Sequence, residues 1–304
     1  MTMAMIRQVT FFVALLAGQL SGAQGLDTVS IPGTEIRFEL AYISAGELLL
    51  ESSSGLAVPL ELGAFWMGVR ELTYEEYALF QQLPSVAGGS NPAVDAVSGP
   101  SRPYLDFTYG MGTAGGFPAV SMTQQAALRY CRWLYQQTGQ FFRLPTEAEW
   151  AYACSAGQDW QPEKLRDYAW YDANSAGKYQ KTGMKKPNPW GLYDMLGNVA
   201  EWTLDDYQED YLAAIGQARA NPWLKPEKRH SRTVKGGSFD SRGEECRCAA
   251  RLKSQARWQA RDPQIPKSIW WNTDSPFVGF RLLRPAQQPT AAEVEAFFSA
   301  AIRD

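Results

Sequence analysis

The chain alternates short periodic segments with long irregular ones, and this scarcity of regular structure limits the folds open to it. The longest irregular segment covers residues 82–118 and is rich in Gly, Pro and aromatic residues. A domain with so few helices and strands needs cross-links or bound cations to hold its loops. We therefore expect an α+β fold of low regular secondary structure that depends on disulfides or bound calcium.

Helices are predicted where a Thr or Ser is followed three residues later by Glu or Gln, because such a pair can cap a helix start reciprocally. The pairs are Thr73 with Glu76, Ser121 with Gln124, Thr146 with Glu149, and Thr290 with Glu293. Strands are predicted in residues 36–52, 58–72, 232–239 and 278–285, which are rich in β-branched and aromatic residues.

The composition excludes several kinds of function. With 11 Trp, 14 Tyr and 14 Phe in 304 residues, the chain has enough apolar surface for a substantial core. A net charge of -3 implies neither nucleic acid nor an acidic membrane surface as a partner. The one histidine, His230, lies among basic residues, as is typical of a solvated loop. Catalysis by Ser-His-Asp or Cys-His groups is not expected, and a site of several histidines is ruled out.

Residues 1–23 have the order of a secretory signal peptide. One cation precedes an apolar run over residues 9–20, and Ser21 and Ala23 follow at the spacing that signal peptidase reads. The run is about 12 residues long, shorter than the roughly 20 that a membrane span needs. We expect cleavage before Gln24 and a soluble, exported, periplasmic protein. In such an oxidising compartment the four cysteines are expected to pair.

Five motifs follow one another along the chain. They are FRLPTEAEWAYACSAG (142–157), NPWGLYDMLGNVAEW (188–202), VKGGSF (234–239), CAARL (248–252) and VGFRL (278–282). In content and order they resemble the formylglycine-generating enzyme, or sulfatase-modifying factor, family. The resemblance implies a single α+β domain related in shape to C-type lectins. We place this domain at residues 24–285 and assign residues 286–304 to a C-terminal helical tail.

The catalytic stretch of the family is incomplete in this chain. Family enzymes oxidise a sulfatase cysteine to formylglycine with oxygen and a copper(I) ion held by two thiolates. Here Ser241 occupies the first cysteine position, and the second is Cys246 when counted forward or Gly243 when counted back from CAARL. Copper(I) is a soft ion, for which a serine hydroxyl is a poor ligand. We therefore expect neither copper nor enzymatic activity, with Ser241 and Cys246 as a vestigial active site.

The resemblance also implies how the cysteines pair. In the family, the cysteine that begins CAARL is joined to the one that ends the LPTEAEW helix, which gives Cys248 with Cys154 here. Cys131 matches a further family half-cystine, whose usual partner is replaced by Leu282. Cys246 remains as a partner, so a second disulfide between Cys131 and Cys246 is also predicted.

A calcium site is predicted at the Gly-Asn turn of the second motif. Asp194 and Glu201 provide two carboxylates across this turn, an oxygen-rich arrangement that calcium prefers. On the residues alone, an ordinary polar turn with solvated acids is the alternative. The resemblance implies one structural calcium ion, bound by the side chains of Asp194 and Glu201 and the carbonyls of Gly197 and Val199.

Three functions are compatible with these features: a non-catalytic accessory protein, a surviving oxidase that modifies a protein substrate, and a lectin-like ligand binder. Exported members without the catalytic pair resemble accessory regulators of type VI secretion of the TagR kind, and residues 101–124 resemble that subgroup more than the oxidases. The resemblance implies a periplasmic role upstream of a membrane Ser/Thr kinase. We expect the chain to act by protein–protein contact, with the periplasmic part of such a kinase as partner.

The insertion at residues 81–117 is a candidate contact surface for that partner. It carries Tyr104, Phe107 and Tyr109, and aromatic residues on a loop often anchor interfaces. Packing of the same residues over the core is the alternative.

Overall fold

Short capped helices and short strands alternate with long irregular connections, as the sequence predicts. A computed structural model describes residues 25–52, 55–82, 106, 108–157, 163–227, 230–259 and 273–302. The strands are β1 (Leu26–Ser30), β2 (Arg37–Ile43), β3 (Gly46–Glu51), β4 (Ala57–Leu62), β5 (Phe65–Gly68), β6 (Ala200–Asp206), β7 (Arg232–Lys235), β8 (Arg251–Lys253), β9 (Val278–Gly279) and β10 (Leu283–Pro285). The α-helices are α1 (Tyr74–Gln82), α2 (Gln124–Thr138), α3 (Glu147–Cys154), α4 (Leu165–Tyr168), α5 (Tyr211–Ile215) and α6 (Ala291–Ala301).

The strands form three small sheets. The first has the order β1-β2-β5-β10 and is antiparallel throughout. The second is the two-stranded ribbon of β3 and β4, and the third has the order β8-β7-β6-β9, with β6 and β9 parallel. All four predicted strand segments contain strands, and three of them divide between two sheets. Residues 36–52 and 58–72 each supply one strand to the first sheet and one to the ribbon, and residues 278–285 supply β9 to the third sheet and β10 to the first. Strand β6, whose seven residues are all buried, was not predicted.

Three of the four predicted helix starts are confirmed. Thr146 accepts a hydrogen bond from the Glu149 N–H, and the Glu149 carboxylate accepts one from the Thr146 N–H at 2.8 Å. The pairs of α1 and α6, Thr73 with Glu76 and Thr290 with Glu293, are formed in the same way. The start predicted at Ser121 is wrong.

The first helical residues of α2 are capped two positions later than predicted. Ser121 has a φ of 61°, whereas Thr123 has the extended backbone of a helix cap. The Thr123 hydroxyl accepts the Ala126 N–H at 3.0 Å. Both residues have a hydroxyl within reach of a helix start, and the backbone at Ser121 decides which of them is used.

Two large hydrophobic clusters and a small third one, of Val120, Tyr179, Val199 and Phe239, fill the interior of the described part of the chain. The first cluster lies around α2, and Val294, Phe298 and Ala301 of α6 are buried in it. The C-terminal helix therefore docks on the domain. The second cluster lies around α3, under the ribbon of β3 and β4.

One of the two predicted disulfides is confirmed and the other is wrong. Cys154, the last residue of α3, is bonded to Cys248, with a Cα–Cα distance of 5.5 Å. Cys131 and Cys246 are free thiols, both buried. Cys131 faces the first hydrophobic cluster, whereas Cys246 belongs to the second, so packing holds the two side chains apart.

In the part of the chain that the structure describes, which begins at residue 25, no helix has the length and apolar character needed to span a bilayer.

Candidate functional site

The turn at residues 194–201, called here the GN turn, has an unusual backbone. Asp194 and Asn198 have φ values of 54° and 55°, and Gly197 has a φ of 74°. A Cβ at Gly197 would collide with the Trp170 carbonyl, so this position requires glycine. The turn is held from outside by hydrogen bonds from Asn198 N to the Trp170 carbonyl, at 2.7 Å, and from Gly197 N to the Gly236 carbonyl, at 2.9 Å.

A buried ion pair fixes the end of the GN turn. The Arg281 and Glu201 side chains are 0% and 1% exposed, and Nη2 of Arg281 lies 2.7 Å from Oε1 of Glu201. The same guanidinium donates to the carbonyls of Gly68, at 2.8 Å, and Tyr193, at 2.7 Å. Trp150 Nε1 donates to the Glu201 carboxylate at 2.7 Å. Arg281 thus bridges β5, the GN turn and β6.

A third acid, Glu71, also supports the turn, and the sequence analysis missed it. Its carboxylate accepts hydrogen bonds from the Asn198 amide, at 2.6 Å, and from the Val199 N–H, at 2.9 Å. Glu71 is buried, although it is a charged residue next to Arg70 near the end of a predicted strand segment. The sequence did contain one sign of this role: Glu71 lies in a short segment bounded by the apolar residues Val69 and Leu72. An acid in such a segment can be buried, and a buried carboxylate needs specific partners.

The three acids leave a surplus of negative charge around one guanidinium. Burial raises the pKa of Glu71 well above its ordinary value, and the nearby carboxylates of Asp194 and Glu201 raise it further. Burial also raises the pKa of Asp194 to about 6, with a smaller contribution from Glu201. Asp194 Oδ2 accepts from the Gly183 N–H, but Asp194 Oδ1 is buried and has no hydrogen-bond partner.

These observations fit a cation at the GN turn. The orphaned oxygen of Asp194 and the surplus charge both favour a bound positive ion. Glu201 is less available as a ligand than predicted, because both of its carboxylate oxygens already accept hydrogen bonds from Arg281. Among the described residues no three His, Cys, Asp or Glu side chains converge as a metal site, so carbonyls such as those of Gly197 and Val199 would have to complete the ligand set. Calcium stays a prediction.

The loop of Ser241 and Cys246, predicted above to be a vestigial active site and called here the vestigial loop, is tightly packed. Ser241 Oγ accepts from the Ser238 N–H at 3.0 Å, and its carbonyl accepts from the Asp172 N–H at 3.0 Å. Cys246 is buried against the turn at Gly237, where a Cβ would lie 2.8 Å from the Cys246 sulfur. Both residues therefore take part in local packing.

The residues at this loop do not fit a copper(I) ion held by two thiolates. Ser241 supplies a hydroxyl, and Cys248 is committed to its disulfide. Burial raises the pKa of the Cys246 thiol to about 12, and the Glu245 and Asp172 carboxylates add to the rise. Cys246 is therefore harder to deprotonate than an ordinary thiol, which disfavours copper(I), because that ion binds the thiolate.

The predicted interface anchors are described only in part. Tyr104 and Phe107 lie outside the described residues. Tyr109 is 55% exposed and has a φ of 53°.

We predict that Arg281→Met lowers the free energy of unfolding by about 3 to 5 kcal/mol, because it leaves buried carboxylates without their counter-charge. Adding Glu201→Gln should recover part of this loss. Arg132→Met, which breaks the exposed pair with Glu295, is the matched control and should cost about 1 kcal/mol or less. Denaturant unfolding of the four proteins measures the difference, and equal losses for Arg281→Met and Arg132→Met would contradict the role given to Arg281.

Comparison with known proteins agrees with this geometry. The sequence profile of the sulfatase-modifying factor enzyme 1-like domain matches residues 21–286. The serine/threonine-protein kinase pkn1 of Chlamydia pneumoniae is 34% identical over 145 residues, which are 45% of this chain and 21% of the kinase. The formylglycine-generating enzyme of Thermomonospora curvata is 32% identical over 140 residues, which are 40% of this chain and 44% of the enzyme. The chain thus spans less than half the length of these curated relatives.

A solved structure shares the fold at low sequence identity. Treponema denticola variable protein 1 superposes with a TM-score of 0.62 and 23% identity, covering 86% of this chain and 99% of that one. At this identity the likeness concerns the fold, which is α+β with little regular secondary structure. Since the family profile covers nearly all of the chain after residue 20, the chain belongs to the sulfatase-modifying factor enzyme 1-like domain family, that of the formylglycine-generating enzymes.

Proposed function

We propose that this protein is a non-catalytic, periplasmic accessory protein that acts by binding another protein. The observation that carries the proposal is that Ser241 stands where family enzymes have their first catalytic cysteine, while Cys246 is buried. A family member that keeps the fold but lacks a pair of thiolates keeps a binding surface rather than a redox centre.

Two observations support an exported location. Residues 1–23, which lie outside the described residues, have the pattern of a signal peptide. The disulfide between Cys154 and Cys248 is the kind of cross-link that persists in oxidising compartments such as the periplasm.

The proposed partner is the periplasmic part of a membrane Ser/Thr kinase, in a pathway that promotes type VI secretion. The similarity to part of a chlamydial Ser/Thr kinase supports a kinase-related context, because it places a related segment in the same polypeptide as a kinase. The resemblance of residues 101–124 to accessory regulators of the TagR kind supports the secretion role. Both inferences rest on likeness to parts of other proteins.

A second candidate is an oxidase of the formylglycine-generating kind. The similarity to such an enzyme favours it, whereas the loop chemistry of Ser241 and Cys246 opposes it. Lectin-like ligand binding is a third candidate, which the fold alone supports.

We predict that deletion of this protein reduces secretion and that a Cys246→Ser variant restores it fully, since a binding protein does not need the thiol. The matched control is the double variant Cys154→Ala/Cys248→Ala, which should lose about 2 to 5 kcal/mol of stability with its disulfide and complement poorly. Secretion assays measure complementation, and periplasmic crosslinking should recover the kinase.

Two outcomes oppose this account. Loss of secretion in a Cys246→Ser variant that melts like the wild type would favour residual redox chemistry. Failure to crosslink any protein would favour the lectin-like alternative.

We further propose that calcium binds at the GN turn as a structural ion. Because an ion that binds only the folded state stabilises it by mass action, calcium at about 100 times its Kd should add about 2.7 kcal/mol. Asp194→Ala should abolish this gain by removing the orphaned oxygen, whereas Asp240→Ala, at an exposed acid, should keep it. Melting temperatures in calcium and in chelator give the answer, and an unchanged wild type would exclude the site.

A further inference from the structure

A cavity of about 510 Å³ lies between the ribbon of β3 and β4, helix α3 and strand β7, and its lining residues belong to neither the GN turn nor the vestigial loop. Leu48, Leu50 and Ala151 give it an apolar wall, and Lys235 and Tyr211 also line it. This region has no role in the proposed function.

Lys235 is a buried cation without a partner in the described part of the chain. Lys235 is 2% exposed, and among the described residues the contact found for its Nζ is with an aromatic ring. The ring of Trp150 lies with its centroid 5.5 Å from Nζ and provides weak compensation. An ammonium group in so dry a place is costly, and an anion in the cavity would offset that cost.

The acids near Lys235 are already committed to other groups. The Glu147 carboxylate is paired with the Arg251 guanidinium, including a contact of 3.1 Å between Oε2 and Nη2. The Asp205 carboxylate accepts the N–H groups of Glu147 and Leu224, at 2.6 and 2.9 Å. Burial lowers the pKa of Lys235 to about 8, so the amine is still mostly protonated near pH 7.

A second orphaned group lies in the same wall. Tyr211 is 5% exposed, and its hydroxyl is buried with no hydrogen-bond partner. Two nine-tenths buried polar side chains without partners, both lining one cavity, indicate a missing acceptor.

The mouth of the cavity has the opposite charge. Glu51, Glu209 and Asp210 line it and are exposed, whereas Arg251 and Glu147, the remaining charged residues of the lining besides Lys235, neutralise each other as an ion pair. An anion alone would be repelled at this rim, whereas a ligand with an ammonium group at its outer end would be attracted.

From this arrangement we propose that the cavity binds a small aliphatic molecule with a carboxylate at one end and an ammonium group at the other. The carboxylate contacts Lys235, the aliphatic chain lies against Leu48 and Leu50, and the ammonium group faces the acids at the rim. This site is independent of the proposed protein partner, because it uses neither the vestigial loop nor the GN turn.

Calorimetric titration with three compounds of equal chain length tests the proposal. 5-Aminopentanoate should bind the wild-type protein most tightly, pentanoate more weakly, and pentylamine not measurably. Lys235→Met should weaken 5-aminopentanoate binding by about tenfold or more, since it removes a charge-assisted contact. Lys178→Met, at an exposed lysine outside the cavity, should bind like the wild type.

Thermal melts keep the test independent of folding. Lys235→Met should unfold cooperatively at the wild-type temperature or above it, because it removes an unpaired buried charge. If Lys235→Met does not fold, Tyr211→Phe replaces it and should also weaken binding. No binding of any compound by the wild type, equal binding by pentylamine, or unchanged binding by the folded variants would overturn the proposal.

Discussion

The buried pair of Arg281 and Glu201 is the interaction on which the rest of the structure depends. One guanidinium holds the carbonyl of Gly68 at the end of β5, the carbonyl of Tyr193 at the start of the GN turn, and the carboxylate of Glu201 in β6. Gly68 and Arg281 are distant in sequence from each other and from the segment of Tyr193 and Glu201. Because removing either charge would leave the other unpaired in the interior, a change that breaks the pair should be strongly destabilising.

The sequence predicted the local features of this fold better than the long-range ones. The capping pair of Thr146 and Glu149 is contained within four residues, and it forms as predicted. At the start of α2, Ser121 and Thr123 both have a hydroxyl that could cap the helix. Thr123 is the cap because the positive φ of Ser121 differs from the extended backbone of a helix cap. The family motifs located the GN turn, but Glu71 reaches it from more than a hundred residues away, so no local pattern could reveal the contact.

The cysteines show the same difference between what the sequence predicts well and what it predicts poorly. The pairing of Cys154 with Cys248 followed from two motifs that the chain retains in full, and it is formed. The pairing of Cys131 with Cys246 followed by elimination after the usual partner position became Leu282, and the two thiols lie in different hydrophobic clusters. This elimination did not consider that a buried cysteine can remain a free thiol and pack as a small apolar side chain, which is common.

The proposed function depends on the chemistry of the vestigial loop. Ser241 supplies no thiol and Cys246 is buried, so the loop lacks the pair of thiolates that holds copper(I) in the enzymes. The most direct test is mass spectrometry of a sulfatase peptide incubated with this protein, copper(I) and oxygen, in parallel with an active formylglycine-generating enzyme. The account predicts that the peptide cysteine stays unmodified while the active enzyme converts it. Conversion by the wild-type protein that is lost in a folded Cys246→Ser variant would contradict the account.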